Sequence, residues 1–512
     1  VEEDYCWRYI NKTRDTTNKT YEDAFNHFIQ TIEPERMKFP NQLDLKVAQS
    51  PYFDALDDER FLVYKRNLKN NIALFREENI ALYVKEENTK NQYYKISGAM
   101  TIEHNGKELT LQQAAAYLTK PNRAERAEVY QKLMDRRLKE HEKLDALFNE
   151  LLAIRSEIAK NAGFDNFRDF KLQQLGRFDY GVAECEQFHD AVEHALIPLI
   201  NDLMQYRKEQ LGVDTLRPYD LQVALGKSKD ELPFDGAKEL IGKTVECLNK
   251  IDPYFAKCIQ IMDNMNHLDL ESRKGKAPGG YNCPLPEIGV PFIFMNAAGS
   301  PRDIKTMIHE GGHAVHSFLT ADLDFNFDKR VTSEAAELAS MSMEMFALDA
   351  YDSFYPDEEE RKGAIYNFIE SNLVTVPWIA LIDKFQHWLY TNPNHTLEER
   401  AAKWQEFSKR FSTNIVDKTG FETHSAYSWQ AQLHIFMVPF YYIEYGIARL
   451  GSIGLYRNYK QDAAKTIESY KNALKMGYTE PLPNIYEKAG IPFNFSQTYI
   501  KELADFMKAE LN

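Results

Sequence analysis

The sequence predicts a mostly α-helical protein with little β structure, and three observations carry that prediction. Apolar residues recur at helical spacing over most of its length. Pro and Gly concentrate in one place only, Lys276 to Pro301. No run of regularly spaced strands alternates with turns.

Helical periodicity is clearest in Arg123 to Lys160, where Val129, Leu133, Leu138, Leu144, Leu147, Leu151 and Ile154 stand among charged residues. Ahead of it, Tyr94 to Gln112 holds short β-like pieces with turn signals at Ser97-Gly98 and Asn105-Gly106, and a helical pattern resumes at Leu111. These features place an N-terminal helical module over residues 1–135 and a second domain over 136–512. No fixed-period repeat or Gly/Ser linker divides the chain further. In the Pro/Gly-rich segment, Val290 to Asn296 reads as a short apolar strand, and Pro291, which cannot donate to a ladder, confines it to a sheet edge. An edge strand can hold an extended peptide by strand addition, with Phe292, Phe294 and Asn296 as the contacts, and a buried connector strand is the equal alternative.

Bulk properties exclude several classes. The chain has 512 residues, is 44% hydrophobic and carries a formal net charge of −15, so it can bury a large core and lacks the basic surface that nucleic-acid binding requires. Its longest apolar runs, Gly289 to Ala298 and Leu373 to Ile382, each contain a proline and reach about half the ~20 residues of a membrane span. No membrane partner is expected. Five scattered cysteines fit free thiols in a reducing compartment, and the segment after Val1 has no leader-like pattern, so a cytoplasmic location is expected.

Ser300-Pro301-Arg302-Asp303 is a helix start, with Ser300 as cap and Pro301 in the first turn. The helix continues through MIHEGGHAVHSFL. His309 and His313 lie one turn apart on one face and converge on a point, with Glu310 beside them. Two imidazoles and an adjacent carboxylate suit a metal with a general base. With 13 histidines, such a pattern arises by chance in fewer than ~5 of 100 chains. His316 reads as a hydrogen-bonded core histidine. Gly311 and Gly312 each cost the helix up to ~1 kcal/mol relative to Ala, which implies close approach by another element.

Catalytic zinc usually takes three protein ligands and leaves one position open. Thr332-Ser333 caps a second helix, SEAAELASMSMEMFALDA, with Glu334, Glu337 and Glu344 as its acids. Glu334 in the first turn suits the helix dipole. Glu337 is taken as the third ligand, and Glu344, on nearly the same face, as the acceptor that orients a ligand histidine.

The segment GGYNCPLPEIGVPFIFMNAAGSPRDIKTMIHEGGHAVHS with SEAAELASMSME resembles the thimet oligopeptidase and oligoendopeptidase F family, M3-type gluzincin metallopeptidases, including the ExxS pattern of Glu337 to Ser340. The resemblance covers residues 136–512. It implies a helical zincin with a small edge-stranded sheet, a deep channel, one Zn²⁺ per chain and short peptides as substrates. In SWQAQLHIFMVPFYYIEYGIARLG, His434, Tyr441 and Tyr445 are spaced to share a helical face, although Pro439 bends it. Related peptidases use a histidine and downstream tyrosines to donate to the oxyanion. Pro439 stands where the family has one of these tyrosines, and the YIEY spacing points to Tyr442 and Tyr445, with Tyr441 in reserve.

The expected reaction is hydrolysis of internal bonds of short peptides, with Glu310 as general base and His434 and Tyr445 as oxyanion donors. The rival readings are a related dipeptidyl carboxypeptidase and a non-catalytic zinc-containing peptide-binding protein. The chain is expected to be a monomer or a small homo-oligomer.

Overall fold

In the computed structural model, which describes residues 1–36, 39–226 and 233–511, helices account for 69% of the chain and sheets are small. The chain forms two compact units, each discontinuous in sequence. One comprises Val1–Ala73, Lys227–Ile365 and Ile447–Asn494; the other comprises Leu74–Gly226, Tyr366–Gly446 and Phe495–Asn512. Both units draw on residues from either side of position 135.

The second unit contains the short β pieces anticipated around Asn105-Gly106. Strands Thr101–His104 and Lys107–Thr110 pair antiparallel, His104 opposite Lys107. Asn105 and Gly106 turn between them with φ of 52° and 72°, the left-handed pair that an Asn-Gly hairpin adopts. Thr110 then caps Leu111–Ala115, its hydroxyl accepting from the Gln113 amide. The helical stretch expected over Arg123 to Lys160 is two helices, Arg123–Leu138 and His141–Asn161. They are interrupted at Lys139-Glu140, where the Glu140 carboxylate pairs with Arg136 and Lys143.

The long helix Glu358–Thr391 contains Pro377 in its interior. It is the one helix among the described residues long and apolar enough to cross a membrane by length and composition, and 61% of its most apolar window is buried inside the fold. The apolar run Leu373 to Ile382 is shorter than this helix because it is bounded by the polar Asn372 and Asp383, both of which the helix buries, as it does Pro377.

In the first unit, three strands form a sheet in the order Leu268–Glu271, Phe292–Ala297, Tyr281–Cys283. Phe292–Ala297 is therefore central, parallel to one neighbour and antiparallel to the other. This overturns the edge-strand expectation. Pro291 lies just ahead of the strand, so its missing N–H removes no ladder bond and does not force the strand outward. The side chains of Phe292 and Phe294 are each 1% exposed and pack with Ile10, Cys283 and Leu285. Phe294 stacks on Tyr281 with ring centroids 4.8 Å apart.

Candidate metal centre

Two helices of the first unit build the site, and their start signals are those read in the sequence. Pro301–Thr320 begins with Ser300 as cap: the Ser300 amide and hydroxyl both donate to the Asp303 carboxylate, at 2.8 and 2.9 Å. Ser333–Ala347 begins with Thr332, whose hydroxyl accepts from the Ala335 amide. The second helix is buried on almost every face, because it packs on both sides rather than on one apolar stripe.

Gly312 sets how closely these helices approach. A methyl carbon placed on it would stand 2.6 Å from Ser340 Cα and 2.9 Å from the Ala339 carbonyl oxygen, so only glycine fits. Gly311 has no such constraint, its nearest neighbour being Ile259 Cδ1 at 3.6 Å. The expectation of close approach therefore holds for one of the two glycines.

This contact brings His309 and His313, one turn apart, against Glu337. Their ligand atoms lie within 4.8 Å of one another. The histidine rings stand perpendicular with centroids 4.8 Å apart. His309 Nε2 is 3.5 Å from Glu337 Oε2, while His309 Nδ1 is 2.6 Å from Glu344 Oε1. A proton on Nδ1 shared with Glu344 leaves the Nε2 lone pair directed at Glu337's side of the cluster. Glu337 is steadied from its own helix, since the Ser340 hydroxyl lies 3.3 Å from its Oε2. That contact gives the ExxS pattern a physical purpose.

Electrostatics separate the carboxylates into distinct roles. Burial pushes the Glu310 carboxyl up to about 7, the neighbouring Glu337 and Glu344 charges add to the shift, and the His309 ring opposes it. Burial also raises Glu337. Glu344 behaves in the opposite way. Burial acts to raise it, but Lys305, Arg449 and His309 together hold it well below the usual carboxylate range. Its Oε2 lies 3.6 Å from Lys305 Nζ and 3.5 Å from Arg449. His313 is held neutral by burial, with His309 adding to the effect. His309 is disfavoured as a cation by burial, yet its hydrogen bond to Glu344 and the surrounding carboxylates raise its pKa overall.

Sequence reasoning missed Lys305 and Arg449. Lys305 stands one turn before His309 and was readable on that ground; Arg449 comes from a helix far along the chain, Ile443–Gln461, and left no local signal. His316 is buried, its pKa lowered to about 4 by that burial, with a hydrogen bond to the backbone of Leu474, so it is a core histidine. Glu334 occupies the first turn of its helix and lies outside the ligand cluster. Of the residues expected to touch substrate, Phe292 and Phe294 are committed to the core, and Asn296 donates its amide to the carbonyls of Ala277 and Gly279, both at 2.8 Å. Asn282 on the outer strand Tyr281–Cys283 reaches the site helix, its side-chain amide 3.4 Å from the Glu310 carbonyl.

In the second unit, His434 and the tyrosines do come together, though not along one helical face. The helix Leu433–Met437 stops before Pro439, and a new one starts at Ile443. Between them Phe440 takes a φ of 65°, held by its amide donating to Gln386 Oε1 at 2.9 Å and by Arg177 bonding its carbonyl. This turn gathers the rings of Tyr441, Tyr442 and Tyr445 at 6.3, 4.6 and 5.9 Å from the His434 ring. Gln432 fixes His434 through Nδ1 at 2.6 Å and itself accepts from the Trp378 indole at 2.9 Å. Burial lowers His434 to about 4, so the ring is neutral at neutral pH.

The peptidase family M3 model matches residues 116–505. This chain belongs to peptidase family M3. Among curated relatives, it is 22% identical over 305 residues to group B oligopeptidase PepB of Streptococcus agalactiae, covering 59% of this chain and 49% of that protein. It is 23% identical over 303 residues to oligopeptidase PepF of Bacillus subtilis, covering 58% and 44%. The M3 chain thus spans about half the length of the curated relatives it matches. Among solved structures, PZ peptidase A with an inhibitor superimposes with a TM-score of 0.89 at 24% identity, covering 99% of this chain and 89% of that one. Oligoendopeptidase F of Enterococcus faecium does so with a TM-score of 0.65 at 16% identity, covering 99% and 88%. These likenesses establish the M3 fold across the chain.

Proposed function

We propose that this M3 chain is a zinc-dependent oligoendopeptidase that hydrolyses internal bonds of short peptides. The observation that carries the reading is the convergence of His309, His313 and Glu337 beside a buried carboxyl, Glu310, whose pKa is raised to about 7. Two imidazoles and one carboxylate fit a borderline cation such as Zn²⁺, which His309, His313 and Glu337 would hold. When bound, zinc supplies Lewis acidity to the scissile carbonyl and acidifies the attacking water.

The protein's own residues do the rest. Glu310 accepts the proton of the attacking water on its carboxylate and returns it to the departing nitrogen, a task suited to a carboxyl titrating near neutrality. Glu344, made anionic by Lys305 and Arg449, holds the His309 tautomer through Nδ1. His434, neutral and anchored by Gln432, with Tyr442 and Tyr445 beside it, is proposed to donate hydrogen bonds to the oxyanion. Tyr441 stands in reserve for that role. The proposed substrates, cytoplasmic location and monomeric or small oligomeric state rest on the names of the relatives and on the composition.

A quenched peptide blocked by a C-terminal amide tests the reading. Cleavage of an internal bond, lost on chelation and restored by zinc, supports it. Cleavage only when the C-terminus is free identifies a carboxypeptidase instead, and no cleavage by a zinc-loaded protein leaves a peptide-binding protein.

A further inference from the structure

A second group of metal-ligating side chains lies in the core of the other unit. The helix Val182–Ala191 carries Cys185 and His189 one turn apart, and the helix Glu358–Thr391 carries Asp383 and His387 in the same relation. The pairs face each other. Ligand atoms of Cys185, Asp383 and His387 lie within 4.8 Å of one another. His189 Nε2 is 2.8 Å and His387 Nε2 3.2 Å from Asp383 Oδ2.

All four side chains are buried, Asp383 and His189 completely and His387 to 6% exposure. Buried polar atoms are nearly always hydrogen-bonded. Here Asp383 Oδ1, His189 Nδ1 and His387 Nδ1 have no hydrogen-bond partner, and His387 Nε2 has the 3.2 Å contact with Asp383. The ion-pair partners of Asp383 among the described residues are the two histidines, each charged only if protonated. A thiol, a carboxylate and imidazoles left this poorly satisfied in a core form a donor set for a cation.

We propose that Cys185, Asp383 and His387 are ligands of a second transition-metal ion of the zinc class, with His189 orienting Asp383. One sulfur, one nitrogen and one oxygen donor select a borderline cation over calcium or magnesium, which require several oxygens. On binding, the Cys185 proton leaves to solvent, and the dication is neutralised by the thiolate and the carboxylate. The ion ties the two helices together beneath the turn that gathers the tyrosines. The His387 ring meets the Phe440 ring edge-on at 5.4 Å. A methyl carbon on Gly446 would stand 2.7 Å from Phe188, a residue of the Cys185 helix. The site would thus hold the break between Leu433–Met437 and Ile443–Gln461 in place.

Cobalt distinguishes this site from the one at His309, because only a thiolate ligand gives a near-ultraviolet sulfur-to-cobalt charge-transfer band, and His309, His313 and Glu337 contain no sulfur. The full chain is produced in cobalt-supplemented medium, so that metal enters during folding, and its cobalt content and absorption are measured. The proposal expects a second equivalent of cobalt together with the thiolate band. His313→Ala should remove one equivalent and leave the band, whereas Cys185→Ser should remove the band and leave the other equivalent. Full occupancy of the His309 site without a thiolate band in the unmutated chain overturns the proposal, whatever the folding of the variants. A band that survives Cys185→Ser overturns it as well.

Discussion

Gly311 and Gly312 are neighbours in one helix, yet the structure predicts opposite effects for the same substitution. Each glycine gains up to ~1 kcal/mol of helix stability on conversion to alanine. At Gly311 the new methyl meets Ile259 Cδ1 at 3.6 Å, an ordinary contact, so the gain is kept. At Gly312 it meets Ser340 Cα at 2.6 Å and the Ala339 carbonyl oxygen at 2.9 Å. Carbon pairs prefer ~3.5–4.0 Å, so the helix Ser333–Ala347 must retreat by about 1 Å. Over-packing of that kind costs ~1–3 kcal/mol, and here the obstacle is backbone, which cannot rotate away. The helix gain is common to both, so the two variants should differ by the over-packing cost, about 1–3 kcal/mol, with Gly311→Ala more stable than the parent and Gly312→Ala no more stable than it. Urea unfolding midpoints, compared at equal slope, measure this. Because Glu337 lies one turn before Ser340, Gly312→Ala should also weaken zinc binding by roughly tenfold through misplacement of that ligand. A Gly312→Ala protein as stable as Gly311→Ala, with unchanged zinc affinity, would refute the packing argument.

Glu344→Gln removes the charge that faces Lys305 and Arg449 and the strong acceptor of His309 Nδ1; zinc affinity, read by chelator competition, should fall ~10–100-fold, and an unchanged affinity would remove Glu344 from the centre. The acid limb of kcat/KM should reflect Glu310: the base is lost as pH falls, and a nearby cation favours its charged form, so the midpoint should lie below about 7. In the metal-free protein the same group works against stability. Its folded pKa lies above the ordinary 4.5, so the penalty is absent in acid and develops as pH rises to about 7, reaching on the order of 3 kcal/mol. Glu310→Gln should abolish that loss, and an apo variant whose stability keeps the parent's pH slope would contradict the assignment.

Much of the site was legible because its signals are local. The Ser300-Pro301 start, the histidines one turn apart, and Glu337 with Glu344 on nearly one face of the next helix are short-range patterns that helical geometry converts into positions. Gly312 was readable as a close approach, but the sequence could not say that Gly311 is not one, since that depends on where Ser340 and Ile259 lie. The failures concern position in the assembled fold. Whether Pro291 pushes a strand to an edge depends on whether it lies inside the ladder, and it lies one residue outside. The tyrosines meet His434 through a broken turn rather than a shared helical face, held by Gln386 and Arg177 from distant segments. Cys185 and Asp383 are far apart in sequence, so their cluster has no linear signature at all.

The central claim is that Glu310 is the base of a metal-dependent hydrolysis whose ligands are His309, His313 and Glu337. Glu310→Gln tests it most directly, with zinc content and turnover of an internally quenched short peptide measured on the same preparation. The account predicts full zinc content with hydrolysis reduced by at least ~10²-fold. Turnover near the parent rate in a zinc-replete Glu310→Gln protein would contradict it.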